Sequence, residues 1–237
     1  MKKRIWELDA LRGLCILGVI AIHLIFDVTY LYRLVDWQLP QGFLTFQHWG
    51  GVIFVLLSGA CVTLGSRSVK RGLVVFGCGL VVTAVTAGMY FLNMASVGII
   101  IYFGALHCLG VCMMLWPLFR KQHWISLLSL GAALVAFGFV LGQMRSGNLW
   151  LMPLGLVTED FATGDYFPLL PHLGFFLAGA AFGRLLYPQK QTLFPKVNEN
   201  APVLRFLRFC GKHSLWIYLL HQPILNGICW LLASQLF

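Results

Sequence analysis

"LRGLCILGVIAIHLIFD", residues 11–27, is apolar enough to lie in lipid, yet it carries Arg12 at one end, His23 in the middle and Asp27 one turn further on. An α-helix turns about 100° and rises about 1.5 Å per residue, so Arg12 and His23 differ by only about 20° in direction and by roughly 16 Å in depth. Asp27 stands one turn beyond His23 on the same side, and Asp9 lies three residues before Arg12. The four groups form one polar stripe along a single helix face. Titratable side chains turned towards hydrocarbon are costly, so this stripe is expected to face protein or water.

The surrounding chain has the same character. Of 237 residues, 59% are hydrophobic and 11% charged, and the mean hydropathy is +0.81. Soluble domains carry about a quarter charged residues, and apolar runs of about 20 residues read as membrane spans. Seven such runs are drawn at about 11–31, 44–64, 72–92, 97–119, 124–142, 169–187 and 214–234. They are continuously apolar instead of alternating, which predicts helices and not a barrel. The expected fold is an all-α polytopic membrane protein with about seven transmembrane helices in one domain over 1–237. The basic start is followed by His23 and Asp27 and by no small-residue cleavage pattern, so the first span is expected to stay in the mature chain.

With the N-terminus inside, every Lys and Arg except Arg33 and Arg145 falls on the cytoplasmic side. This asymmetry predicts a cytoplasmic N-terminus and an external C-terminus. It also accounts for the net charge of +9 through contact with an anionic inner leaflet, with no nucleic acid required. The cysteines all lie in or beside spans, so no oxidised framework is implied. Cys108 and Cys112 share a helix face beside His107, but further ligands are not evident and no metal is expected.

Other imidazoles join the stripe as candidates. His107 in "IYFGALHCLGV" lies near the depth of His23; His48 and His172 lie near external ends of their spans, and His221 in "HSLWIYLLHQP" in the inner half of the last. Asp27 is placed to orient His23 and raise its basicity. "FVLLSGACVTLG" and "GFFLAGAAFG" read as small-residue packing faces, with Gly59, Gly65, Gly174, Gly179 and Gly183 allowing close helix approach. Two loops stand out. Residues 143–168 are read first as a solvated connection, with an external mouth as the functional alternative. Residues 188–213 end in a helix start at Asn200 and Pro202, followed by an amphipathic segment expected in the inner interface.

"LDALRG" with Arg-x10-His, "FVLLSG", "YFGALHCLG", "YFPLLPHLGFFLAGAAFGRLLYP" and "FCGKHSLWIYLLHQPIL" together resemble the bacterial branch of the heparan-alpha-glucosaminide N-acetyltransferase catalytic-domain family, over residues 4 to about 226. The resemblance implies acyl transfer across a membrane: acyl-CoA (acetyl-CoA) presented from the cytoplasm, and an external acceptor with an amine or hydroxyl, typically a saccharide. His23 matches the family's polar position in the first helix and Arg12 the Arg of the same element. In the lysosomal branch an Asn stands where His23 does, and the catalytic His comes from the external loop that follows. Residues 28–47 here contain no His, so His23, His48 and His107 all remain open for the chemistry.

A large anionic CoA stays at the inner mouth, where Arg12, Arg67, Lys70 and Arg71 are the candidate phosphate ligands. A base nearer mid-membrane would take the acceptor's proton, or a histidine would carry the acyl group covalently. The rival readings are a proton-coupled transporter, in which the same stripe is a relay, and a non-catalytic membrane scaffold. The expected setting is a bacterial cytoplasmic membrane, with lipid as the other partner.

Overall fold

A computed structural model describes residues 4–38, 40–93 and 97–236, without the side chains of residues 41, 44, 46–48, 97 and 236. Among the described residues all regular elements are helices, with two isolated bridges, Phe103 to Tyr166 and Arg145 to Val157, and no strand. It divides into two compact units, one of residues 1–54 and 190–237, the other of residues 55–189.

The first unit is built on α1 (Trp6–Phe26), which continues into a π-helical turn (Asp27–Leu31). The first part of α2 (Gln41–Val62) follows, and the unit is completed by α7 (Pro202–Lys212) and α8 (Ser214–Leu236). Pro202 begins α7, where its fixed φ and missing N–H cost nothing. The helix is amphipathic as expected: Phe206 and Phe209 are exposed, whereas Cys210 and Gly211 are buried against α1. That contact is backbone on backbone, because a Cβ on Gly211 would collide with the Asp9 carbonyl and one on Gly13 with the Leu207 carbonyl. Glu7, also buried, accepts hydrogen bonds from Thr192 Oγ1 and Leu193 N, both at 2.8 Å, and so ties the connection before α7 to the start of α1.

The second unit holds the rest of α2, then α3 (Ser68–Phe91), α4 (Ala105–Phe119), α5 (Trp124–Leu141) and α6 (Leu169–Leu186). α3 pairs with α4, and α5 with α6. The small-residue faces serve packing: Gly59 and Gly179 interlock α2 with α6 through the carbonyls of Phe176 and Leu56, and Gly174 sits against Gly131 of α5. Gly65 lies beyond α2, against the Arg71 guanidinium.

Among the described residues, five helical segments are long and apolar enough to cross a membrane: Trp6–Leu31, Ser68–Phe91, Trp124–Leu141, Leu169–Leu186 and Ser214–Gln235. Two further apolar stretches, Trp49–Val62 and Ala105–Phe119, are shorter. The fourth run therefore differs from the expected span at 97–119. Val97–Ile99 forms a 3-10 turn and the helix begins only at Ala105. Hydropathy averages over side chains and does not register where the backbone leaves helical geometry.

The 143–168 loop is not a plain solvated connection. Thr163 Oγ1 donates to the Ile100 carbonyl at 2.6 Å, Phe167 N to the Phe103 carbonyl at 3.0 Å, and Tyr166 Oη to the Met152 carbonyl at 2.6 Å. Asp165 accepts from Ala105 N at 2.9 Å, so a loop carboxylate caps the start of α4 from elsewhere in the chain. Burial raises the Asp165 pKa above its usual 3.8, with the Ala105 N–H pulling the other way. Such a group holds its proton more tightly folded than unfolded, so its contribution to stability falls as pH rises from that usual value through the raised one. Asp165→Asn keeps an acceptor oxygen without the charge. It is expected to melt above the parent near neutral pH, the gap closing below a pH of about 4. Asp165→Ala leaves the cap unmade and is expected to melt lower at both pH values; melting curves in detergent check all three proteins.

Candidate functional site

The polar stripe of α1 divides between two neighbours. At its start Asp9, 4% exposed, is held by Arg4 at 2.7 Å and meets the Arg12 guanidinium at 3.6 Å. Arg12 thus belongs to a carboxylate-centred cluster within the first unit.

At its other end the stripe meets α8. The His23 ring lies 5.0 Å from that of His221, tilted by 59°. Asp27, fully buried, does not engage His23 as expected: Gln222 Nε2 donates to both of its oxygens at 3.1 Å. Tyr32 Oη donates to the Asn226 backbone carbonyl and to its Oδ1, both at 3.2 Å, and Asn226 Nδ2 donates to the Gln222 carbonyl at 3.0 Å. The π turn begins at Asp27, with Tyr32 N bonded to the Asp27 carbonyl at 2.8 Å. Such turns widen a helix locally and re-aim the residues that follow. Pro223 removes one backbone donor from α8 beside this cluster. Gln222, Asn226 and Tyr32 had not been singled out from the sequence; two amides within four residues of an otherwise apolar span were the available signal.

The remaining histidines are placed as follows. His107 is buried between Phe76, edge-on at 5.4 Å, and Phe103, stacked at 5.6 Å. Gly104 N donates to its Nδ1 at 3.2 Å. Thr83 Oγ1 gives its proton to the Ile101 carbonyl at 2.6 Å and lies 3.3 Å from His107 Nε2, which makes Nε2 the protonated nitrogen of the ring. Both nitrogens of His107 are therefore engaged in joining α3 to the start of α4. His172 Nδ1 lies 2.7 Å from the Pro168 carbonyl, its ring against Phe167 at 4.8 Å. The side chain of His48 lies outside the described residues. No group of three or more His, Cys, Asp or Glu gathers as a metal site among the described residues.

The second unit carries a basic cleft of about 480 Å3 where α2 turns into α3 and α4 and α6 end. Arg67 and Lys70 line it, together with Arg120, Arg184, Ser66 and Ser68. Arg71, the fourth candidate, packs against Gly65 and is not among the lining residues. Arg184 donates to the carbonyls of Arg120 and Gln122 and lies over Trp116 with 5.5 Å to the ring centroid, so this cation is fixed in place. Arg120 and Arg184 were legible only as part of the uneven distribution of Lys and Arg along the chain.

No curated protein and no solved structure matches the chain. Residues 4–223 do match the family described as "Heparan-alpha-glucosaminide N-acetyltransferase, catalytic", and this integral membrane protein belongs to that family.

Proposed function

We propose that this protein is a transmembrane acyltransferase that takes an acetyl or acyl group from cytoplasmic acyl-CoA and delivers it to an amine or hydroxyl of an external acceptor, a saccharide being the leading class. In this reading seven helices cross a bacterial cytoplasmic membrane, with the N-terminus inside and the C-terminus outside. The charge asymmetry supports that orientation. The observation that carries the proposal is the His23–His221 pair beside the Asp27–Gln222 contact. This is a buried titratable cluster between two apolar helices of a chain in an acetyltransferase family. Ionisable groups at such positions mark sites of chemistry or passage by default.

Arg67, Lys70 and Arg120 in the basic cleft are the phosphate ligands for CoA, a role that multiple guanidinium and ammonium donors suit. The α1–α8 cluster supplies imidazole as proton acceptor for the attacking group, with no metal required for thioester chemistry. Labelled acetyl-CoA in proteoliposomes tests this. His23→Ala is expected to lower acetyl transfer by about tenfold or more, the lower range for losing a group that works beside a positioned base. Full transfer by His23→Ala would remove His23 from the reaction. Proton flux that follows substrate in the absence of acyl-CoA would favour a transporter instead.

A further inference from the structure

Two buried polar atoms at the α1–α8 seam have no hydrogen-bond partner among the described residues: Nε2 of His221 and Oε1 of Gln222. Their chemical identities follow from what their own side chains already do. His221 Nδ1 lies 2.6 Å from the Tyr218 carbonyl, which can only accept, so Nδ1 carries the proton and Nε2 of the neutral ring presents a bare lone pair. Gln222 turns its NH2 to both oxygens of the Asp27 carboxylate, so its Oε1 points away as an acceptor. The seam therefore presents two acceptors that no donor meets among the described residues. His221 is 8% exposed, and leaving such atoms unmet in a buried place costs about 1–3 kcal/mol each.

Their positions are set by α1. His221 packs on His23 and its neighbour Gln222 on Asp27, His23 and Asp27 being about one turn apart on α1. His23, on α1, is the titratable ring facing His221, and Tyr218, whose ring lies 5.4 Å away, adjoins it on α8.

We propose that His221 Nε2 and Gln222 Oε1 bind the acyl acceptor, and that the acceptor is a polyfunctional amine or alcohol: one N–H or O–H faces His221 and a second donor faces Gln222. This rests on the acyltransferase reading above. In the transfer step the acceptor nitrogen or oxygen attacks the thioester carbonyl carbon, and its proton passes to His221 Nε2. The C–S bond breaks, CoA leaves as thiolate, and the proton on Nε2 returns to that sulfur, leaving a neutral imidazole and a thiol. His221 is the proton-accepting residue in this scheme. Gln222 binds the acceptor, and Asp27 positions Gln222 by fixing which end of the amide faces outward.

The experiment uses the full chain in proteoliposomes with labelled acetyl-CoA and two probe acceptors, glucosamine and cyclohexylamine, which share a primary amine but differ in hydroxyl donors. The parent is expected to prefer glucosamine. Gln222→Leu is expected to raise the KM for glucosamine about tenfold more than the KM for cyclohexylamine, as for one buried hydrogen bond made by a hydroxyl donor that only glucosamine has. His221→Gln is expected to lower kcat about a hundredfold for both probes. Protection against heat by acetyl-CoA, measured separately, is expected to survive both substitutions and confirms that each variant is folded. Should acetyl-CoA protect all three proteins while Gln222→Leu keeps the parental KM, or the parent shows no preference between the probes, the acceptor assignment is overturned and the acyltransferase reading stands. Should acetyl-CoA fail to protect the parent, the acyltransferase reading itself fails.

Discussion

Gly211→Leu is expected to yield no monodisperse folded protein in detergent, whereas Gly227→Leu purifies and melts like the parent. A Cβ at Gly211 meets the backbone carbonyl of Asp9, and the reciprocal position, Gly13, meets that of Leu207. Backbone atoms held in two helices cannot swing aside as a side-chain tip does, so relief requires α7 to lift from α1. The penalty lies beyond the about 1–3 kcal/mol of an ordinary overpacked core. Gly227, on α8, has nothing within 4 Å of its Cβ position. The pair separates a packing requirement from any general intolerance of bulk in membrane helices. Size-exclusion chromatography with melting curves reads it, and a well-folded Gly211→Leu protein would show that the α1–α7 contact is dispensable.

His107→Ala is expected to cost about 3 kcal/mol, the lower part of the range for truncating a buried ring, and so to lower the melting midpoint by about 6–12 °C in a chain of this size. The ring fills the space between Phe76 and Phe103 and closes against Gly79, where even a methyl group would stand 3.0 Å from it. Its loss also strands the Gly104 N–H and the Thr83 hydroxyl oxygen. Because both ring nitrogens are engaged, acetyl transfer per folded molecule is expected to stay near the parental value. A stable His107→Ala protein with its transfer abolished would return this histidine to the chemistry.

Much of the architecture was legible as a string of letters. The amphipathic α7 was readable because Phe206 and Phe209 alternate with Arg205 and Arg208 at helical spacing and Pro202 opens the segment. The fourth run was less so. The stretch before Ala105 is as apolar as the helix itself, and its departure from helical form is tied to loop residues Thr163 and Asp165 some sixty positions later. The loop over residues 143–168 was misjudged for a related reason. It read first as a solvated connection, whereas Asp165 is only partly exposed and caps the start of α4.

The polar stripe shows the boundary most clearly. Sequence by itself determined that Asp9, Arg12, His23 and Asp27 share one side of a lipid-soluble helix and must avoid the acyl chains, because helical period and hydropathy are local properties of a chain. Only the tertiary structure decided their partners. His23 went to His221, and Asp27 to Gln222, which is 195 positions away. Pairing of that kind depends on which helices become neighbours and how close their backbones come, and glycines such as Gly13 and Gly211 settle the second point by what they leave out.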